Sequence, residues 1–173
     1  TAGGPQNRKE LGLDDEGIER PENGRIQRGD MLQRLSASLN DAGGIDRIIE
    51  RSGYSRPHIL SAFGSIDDLV VTIAERKATF LSTPLRDCRT IVDLQSARGV
   101  LIEFGKLAWN EYSTSIIALV RLMIAEDARS SDLKRRVYDA GPSAVAFELS
   151  QFFIKANGTG VLKVPETHLA AEQ

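Results

Sequence analysis

From about Gly24 onward, apolar residues recur at spacings of three and four, the period of an amphipathic helix. Met31, Leu32, Leu35 and Leu39 form a first stripe, ended by Gly43-Gly44. Ile45, Ile48 and Ile49 form a second, shorter one, with Arg47, Glu50 and Arg51 on the opposite face. Ser52-Gly53 stops that helix, because glycine accepts the left-handed conformation at a helix C-terminus. In the next segment Ser55 can cap, and Pro57 falls in the first turn, where a missing N–H costs nothing. Ile59, Ala62 and Phe63 then face inward, and Gly64 ends this third helix. Ser65 caps a longer fourth helix whose first turn carries Asp67 and Asp68 at the positive end of the dipole. Its stripe of Ile66, Leu69, Val70, Ile73, Lys77, Phe80 and Leu81 runs as far as Pro84.

Past Pro84 the pattern stays helical. One helix is expected from about Thr90 to Tyr112, with Leu94, Ala97, Leu101, Phe104 and Ala108 on one face. Ser115 to Ala125 is apolar almost all round apart from Arg121, as in a central buried helix. Asp127 to Asp139 is amphipathic and charged. After a break at Gly141-Pro142, Ser143 to Ala156 aligns Val145, Leu149, Phe152, Phe153 and Ala156. Asn157 to Gly160 reads as a turn, and Pro165 starts a last helix that Gln173 cuts short. Val161 to Val164 alone has any strand-like alternation, so the expected fold class is all-α.

Composition narrows the classes. The chain has 173 residues, 41% hydrophobic and 27% charged, enough to bury a core without staples. Cys88 stands alone, so no internal disulfide forms, and a reducing, cytoplasmic setting is expected. His58, His168 and Cys88 are too few for a zinc site, and no cofactor is expected. No apolar run approaches the roughly 18 residues of a bilayer span, so no membrane partner is expected. Residues 1–24, rich in Gly and Pro, read as a flexible tail whose Arg8, Lys9 and Arg20 can touch phosphates as an arm. Residues 25–64 form a first unit, and 65–173 a larger helical one.

The net charge is −2, so any surface for nucleic acid must be local. Residues 25–64 hold six arginines against four carboxylates, a weak basic bias. Two short helices joined through Gly53 fit a helix-turn-helix, a geometry that serves plain packing as well as DNA reading. In a DNA reader the second helix enters the major groove N-terminus first. Tyr54, Ser55, Arg56, His58 and Ser61 then face the duplex, with Arg28 reaching a phosphate. Arg56 is the best candidate for a guanine or phosphate, since its planar fork bonds bidentately.

The stretch from Ile48 to Leu69 resembles the recognition region of the TetR family of regulators. The likeness lies in the Gly53-x-Ser55 turn, Phe63 closing the recognition helix, Ser65 capping the next, and Leu69 after it. Arg121 to Arg129, Tyr138 to Pro142, Gly160 to Leu162 and Leu169 to Glu172 are similar to later landmarks of that family. The resemblance implies a homodimer with two DNA-reading heads, a palindromic double-stranded DNA partner and a small-molecule effector. It also implies dimerisation through Ser143 to Ala156 and the helix after Pro165. Leu60 and Ile66 stand where the family usually carries Tyr and Lys, both of which reach phosphates. The Asp41-Ala42-Gly43-Gly44 link is also shorter than the family's.

Phe104, Trp109, Tyr112, Leu122, Met123 and Phe147 can line an effector cavity, although aromatics at helical spacing also make ordinary core. Arg121 inside an apolar run needs a partner, and Glu126 or an anionic ligand would serve; snorkelling to the surface explains it as well. The acidic pairs Asp67-Asp68 and Glu126-Asp127 have no nucleophile or histidine beside them, and no phosphate loop or triad occurs, so an enzyme is not expected. The reading is therefore a ligand-responsive repressor. The second reading is a family relative with a degenerate DNA head, acting as a small-molecule-binding or protein-interaction module.

Overall fold

The computed structural model describes residues 21–38, 45–116, 119 and 131–172. Every regular element among them is helical: α1 (Pro21–Ser38), α2 (Ile45–Ser52), α3 (Arg56–Phe63), α4 (Ile66–Leu81), α5 (Thr83–Asp87), α6 (Leu94–Glu111), α7 (Ser131–Tyr138), α8 (Ala144–Gly158) and α9 (Thr167–Glu172). A π turn, Tyr112–Ile116, extends α6, and another, Asp139–Ser143, joins α7 to α8. The expected tail over 1–20, the Gly43-Gly44 stop and most of the Ser115 to Ala125 helix lie outside the described residues.

The apolar stripes of α1, α2 and α3 converge on α4. Met31, Leu32 and Leu35 of α1, Ile45, Ile48 and Ile49 of α2, and Ile59 and Phe63 of α3 are all buried. They share one cluster with Ile66, Leu69, Val70, Ile73 and Ala74 of α4. Leu119, and Leu133 and Val137 of α7, close the same cluster from the other side. Each fully buried aliphatic side chain contributes about 1.5–3 kcal/mol, so this cluster is the main anchor of the N-terminal helices. A second, smaller cluster joins Leu85, Ile91, Ala97, Phe152 and Ala156, with Phe104, Leu149 and Phe153 packed against it.

The boundaries differ from the sequence expectation where local chemistry is stronger than periodicity. Helix α1 starts at Pro21, inside the expected tail, because proline suits a first helical turn. Pro84 does not end the helical run; it sits in the first turn of α5. Helix α6 starts at Leu94 rather than Thr90, since Asp93 and Ser96 form a reciprocal capping box there. Leu94 is therefore a first-turn residue and is exposed, not part of the buried face. Gly141-Pro142 causes no break, because the wider π turn accommodates the ring and its missing N–H.

Val161 to Val164 is not a strand. The Asn157 side chain takes up that backbone, donating from Nδ2 to the Val164 carbonyl at 2.7 Å and accepting the Val164 N–H at 2.9 Å.

Candidate nucleic-acid interface

The turn between α2 and α3 is held by short-range bonds. Gly53 takes φ +77°, a left-handed conformation that disfavours a side chain, and its N–H donates to the Glu50 carbonyl at 3.3 Å. The Ser52 hydroxyl donates to the Ile49 carbonyl at 2.7 Å and accepts the Tyr54 N–H at 3.3 Å. Ser55 caps α3 by accepting the His58 N–H at 3.4 Å, and Pro57 occupies the first turn. Gly64, at φ +84°, closes α3 by donating to the Leu60 carbonyl at 2.8 Å.

Helix α3 therefore turns Ile59 and Phe63 into the core and leaves Arg56, Pro57, His58, Leu60 and Ser61 exposed. Of the residues expected to face DNA, Ser55, Arg56, His58 and Ser61 lie on this outward surface. Tyr54 is half-buried and tied to α1. Its hydroxyl donates to Asp30 Oδ2 at 2.8 Å, the Arg34 guanidinium lies 6.0 Å from its ring centroid, and its edge meets His58 at 5.7 Å. The Asp30 carboxylate holds the phenol proton and raises the Tyr54 pKa above its ordinary value. Arg28 lies over the Phe63 ring at 5.0 Å. Arg56 Nη1 meets Asp46 Oδ1 at 2.6 Å, across the turn.

Ile66 is buried as the first residue of α4, so it faces the core instead of a phosphate, whereas Leu60 is exposed.

The same helices are wired to the C-terminal part. Ser65 caps α4, accepting the Asp68 N–H at 3.0 Å and donating its hydroxyl to Asp68 Oδ2 at 2.6 Å. The other oxygen of Asp68 accepts a bond from Arg136 of α7. The Ser65 hydroxyl, then Arg136, hold the Asp68 carboxyl below the usual carboxylate range, and Asp68 in turn raises the Arg136 pKa. Further along α4, Lys77 Nζ meets Glu111 Oε2 at 2.8 Å in a largely buried pair with α6. The Ser65 cap was legible from sequence, but neither the Asp68–Arg136 nor the Lys77–Glu111 pair was.

Of the residues expected to line an effector cavity, the four described ones do not gather in one place. Phe104 is packed against the second cluster, while Trp109 is 78% exposed and Tyr112 and Phe147 also lie on the surface. Arg121, Leu122, Met123 and Glu126 lie outside the described residues. Clefts lined by described residues include two between the helices. One of about 480 Å³ separates α4 and α5 from α8 and includes Glu75, Thr79, Arg86 and Glu148. The other, of about 530 Å³, is lined by Ser36 of α1, Arg76, Lys77 and Phe80 of α4, and Asn110 and Glu111 of α6. Their polar linings carry no signal in the sequence, because such residues read as solvated helix faces. Among the described residues no group of three His, Cys, Asp or Glu side chains gathers at metal-binding distance. No described helix is long and apolar enough to cross a membrane.

Residues 100–173 match the family described as the C-terminal domain of AefR-like transcriptional repressors. This C-terminal part of the chain is therefore similar to that of TetR-type regulators. The fold agrees: a TetR-family transcriptional regulator of Mesorhizobium loti superimposes with a TM-score of 0.64 at 17% identity, over 86% of this chain and 76% of that one. The flavonoid-responsive regulator FrrA superimposes with a TM-score of 0.55 at 22% identity, over 85% of this chain and 76% of that one. No curated protein matches the sequence significantly. The family match over 100–173 takes in most of α6 and all of α7, α8 and α9.

Proposed function

We propose that this chain is a TetR-type transcriptional repressor that binds a palindromic duplex as a homodimer and is released by a small-molecule effector. The observation that carries the reading is the outward face of α3. A capped helix N-terminus presents Arg56, His58 and Ser61 to solvent while Ile59 and Phe63 anchor it from behind. Backbone N–H groups and an arginine fork at such a terminus suit phosphates and base edges. Homodimerisation is supported by Phe147 and Ile154, seven residues apart on α8, and Leu169 on α9, all exposed and apolar. The effector site belongs to the helical body, with Phe104, Trp109, Tyr112, Arg121, Leu122, Met123, Glu126 and Phe147 as its candidates. Planar phenolic compounds are the first class to test, since a structural neighbour is named for its response to flavonoids.

The test is selection of bound duplexes from a random pool at two salt concentrations. The expected result is a palindromic site whose affinity falls as salt rises. Arg56→Ala should weaken binding to that site about tenfold or more with helical content unchanged. The buried Ile66 favours a second reading, a ligand-binding module with a degenerate head. A folded dimer that enriches no duplex would overturn the first reading in its favour.

A further inference from the structure

We propose that Asp46 sets the specificity of the DNA-reading face by withholding Arg56 from phosphates while leaving it free for a base edge. This rests on the DNA-reading role proposed above and names the regulation of that same site. Arg56 is the first residue of α3 and Asp46 lies in the first turn of α2, so the helix-turn-helix itself brings them together. Nη1 and Oδ1 stand 2.6 Å apart, and the pair is open to solvent, with Asp46 83% exposed. Arg56 is therefore not a free cation waiting on the surface. It already holds an anion at the position where DNA would approach.

The two kinds of DNA contact meet this pair differently. A phosphate that approaches Arg56 brings a negative charge against the Asp46 carboxylate, and the two anions compete for one guanidinium. A guanine edge is uncharged and brings no such repulsion. The guanidinium has five N–H donors in a rigid plane, so Asp46 on Nη1 leaves the Nε and Nη2 donors for a second planar partner. Its charge is then discounted towards the phosphates, which every sequence shares, more than towards a base edge, which only some sequences present. Selectivity gained by penalising the wrong partner has this form. Arg34 is likewise paired, with Asp30, while Arg28 lies over the Phe63 ring and keeps its charge. Asp46 is the carboxylate placed on the leading arginine.

The experiment measures full-length protein binding to a labelled random-sequence duplex over a range of salt concentrations, for wild type, Asp46→Asn, Arg56→Ala and the double variant. Asp46→Asn is expected to raise affinity for random duplex about twofold to fivefold at low salt. It should also steepen the dependence of log K on log salt by about 0.9, one further phosphate contact. In the Arg56→Ala background the same change should have no effect. Asp46→Ser removes the charge by another route and should behave like Asp46→Asn, so a folding defect of one variant cannot stand in for the effect. No gain on random duplex, or an equal gain without Arg56, would overturn the role of Asp46. A wild-type protein that enriches no site from the random pool overturns the DNA-reading role as well, which separates the two failures.

Discussion

The cluster beneath α2 and α3 gathers side chains from both early and late helices, whereas the cluster between α6 and α8 leaves large apolar side chains of those same helices exposed. The first draws long aliphatic side chains from α1 to α4, then Leu119, Leu133 and Val137 from later in the chain. Its outward face at α3 carries the polar Arg56, His58 and Ser61 beside Pro57 and Leu60. The second buries five residues and leaves Trp109, Phe147, Ile154 and Leu169 exposed. The difference lies in whether the described residues supply a cover for each apolar stripe. Around the first cluster they do, leaving Arg56, His58 and Ser61 outward for polar contacts. Around the second they leave Trp109, Phe147 and Ile154 uncovered, and an apolar surface of this kind is where association lowers the free energy.

Substitutions at the two ends should therefore act on different observables. Leu69 is fully buried at the centre of the first cluster, and Leu69→Ala should lower unfolding stability by about 2–5 kcal/mol in urea titrations. A loss well below 1 kcal/mol would mean that the first cluster is not the anchor described. Phe147→Asp, on a residue 61% exposed, should leave the unfolding of the isolated chain nearly unchanged but weaken self-association at least tenfold by sedimentation. An unaltered association constant would remove α8 from the dimer surface.

Smaller effects come from the polar links. Asp68 and Asp93 have pKa values depressed below the ordinary 3.8, by Ser65 and then Arg136 for Asp68, and by the Ser96 backbone and hydroxyl for Asp93. A depressed carboxylate contributes stability that is present above the unfolded pKa and is lost as pH falls through the folded one. Urea midpoints should accordingly hold above about pH 4 and fall below it, with a shallower fall in Asp68→Asn. An identical acid profile in that variant would show that the Arg136 link does not connect α4 to α7 energetically. Tyr54 carries the opposite sign. Its raised pKa means a proton held by Asp30, so its contribution is complete below 10.0 and is lost as pH rises through the higher folded value. In ultraviolet titration one of the three tyrosines should ionise late, and Asp30→Ala should return it to the ordinary range.

Much of the fold was legible because its signals are local. Periodicity placed the buried faces of α2 and, apart from the exposed Phe80, of α4, and the caps at Ser55 and Ser65 bond groups three residues away. The errors arose where two local signals compete. Asp93 with Ser96 outweighed the apolar pattern that pointed to Thr90, and a π turn absorbed the Pro142 that read as a break. The reading face was partly legible: Arg56, His58 and Ser61 were placed outward, but the tie of Tyr54 to Asp30 was not foreseen. The proposed effector residues were the least legible, because aromatic spacing does not say whether a helix face meets another helix or solvent.

By itself, then, the sequence determined the all-helical class, the order of the N-terminal helices and the helix-turn-helix with its glycine turn. Those depend on backbone preferences and hydrogen bonds spanning a few residues. Only the tertiary structure decided the partners of the charged and aromatic side chains. Tyr54 with Asp30, Arg56 with Asp46, Lys77 with Glu111 and Arg136 with Asp68 join residues 10 to 68 positions apart. Any of those arginines or carboxylates could have met water or another counter-charge at little cost, so periodicity leaves their choice open. The packing of the helices, set by the buried aliphatic faces, selects one neighbour for each.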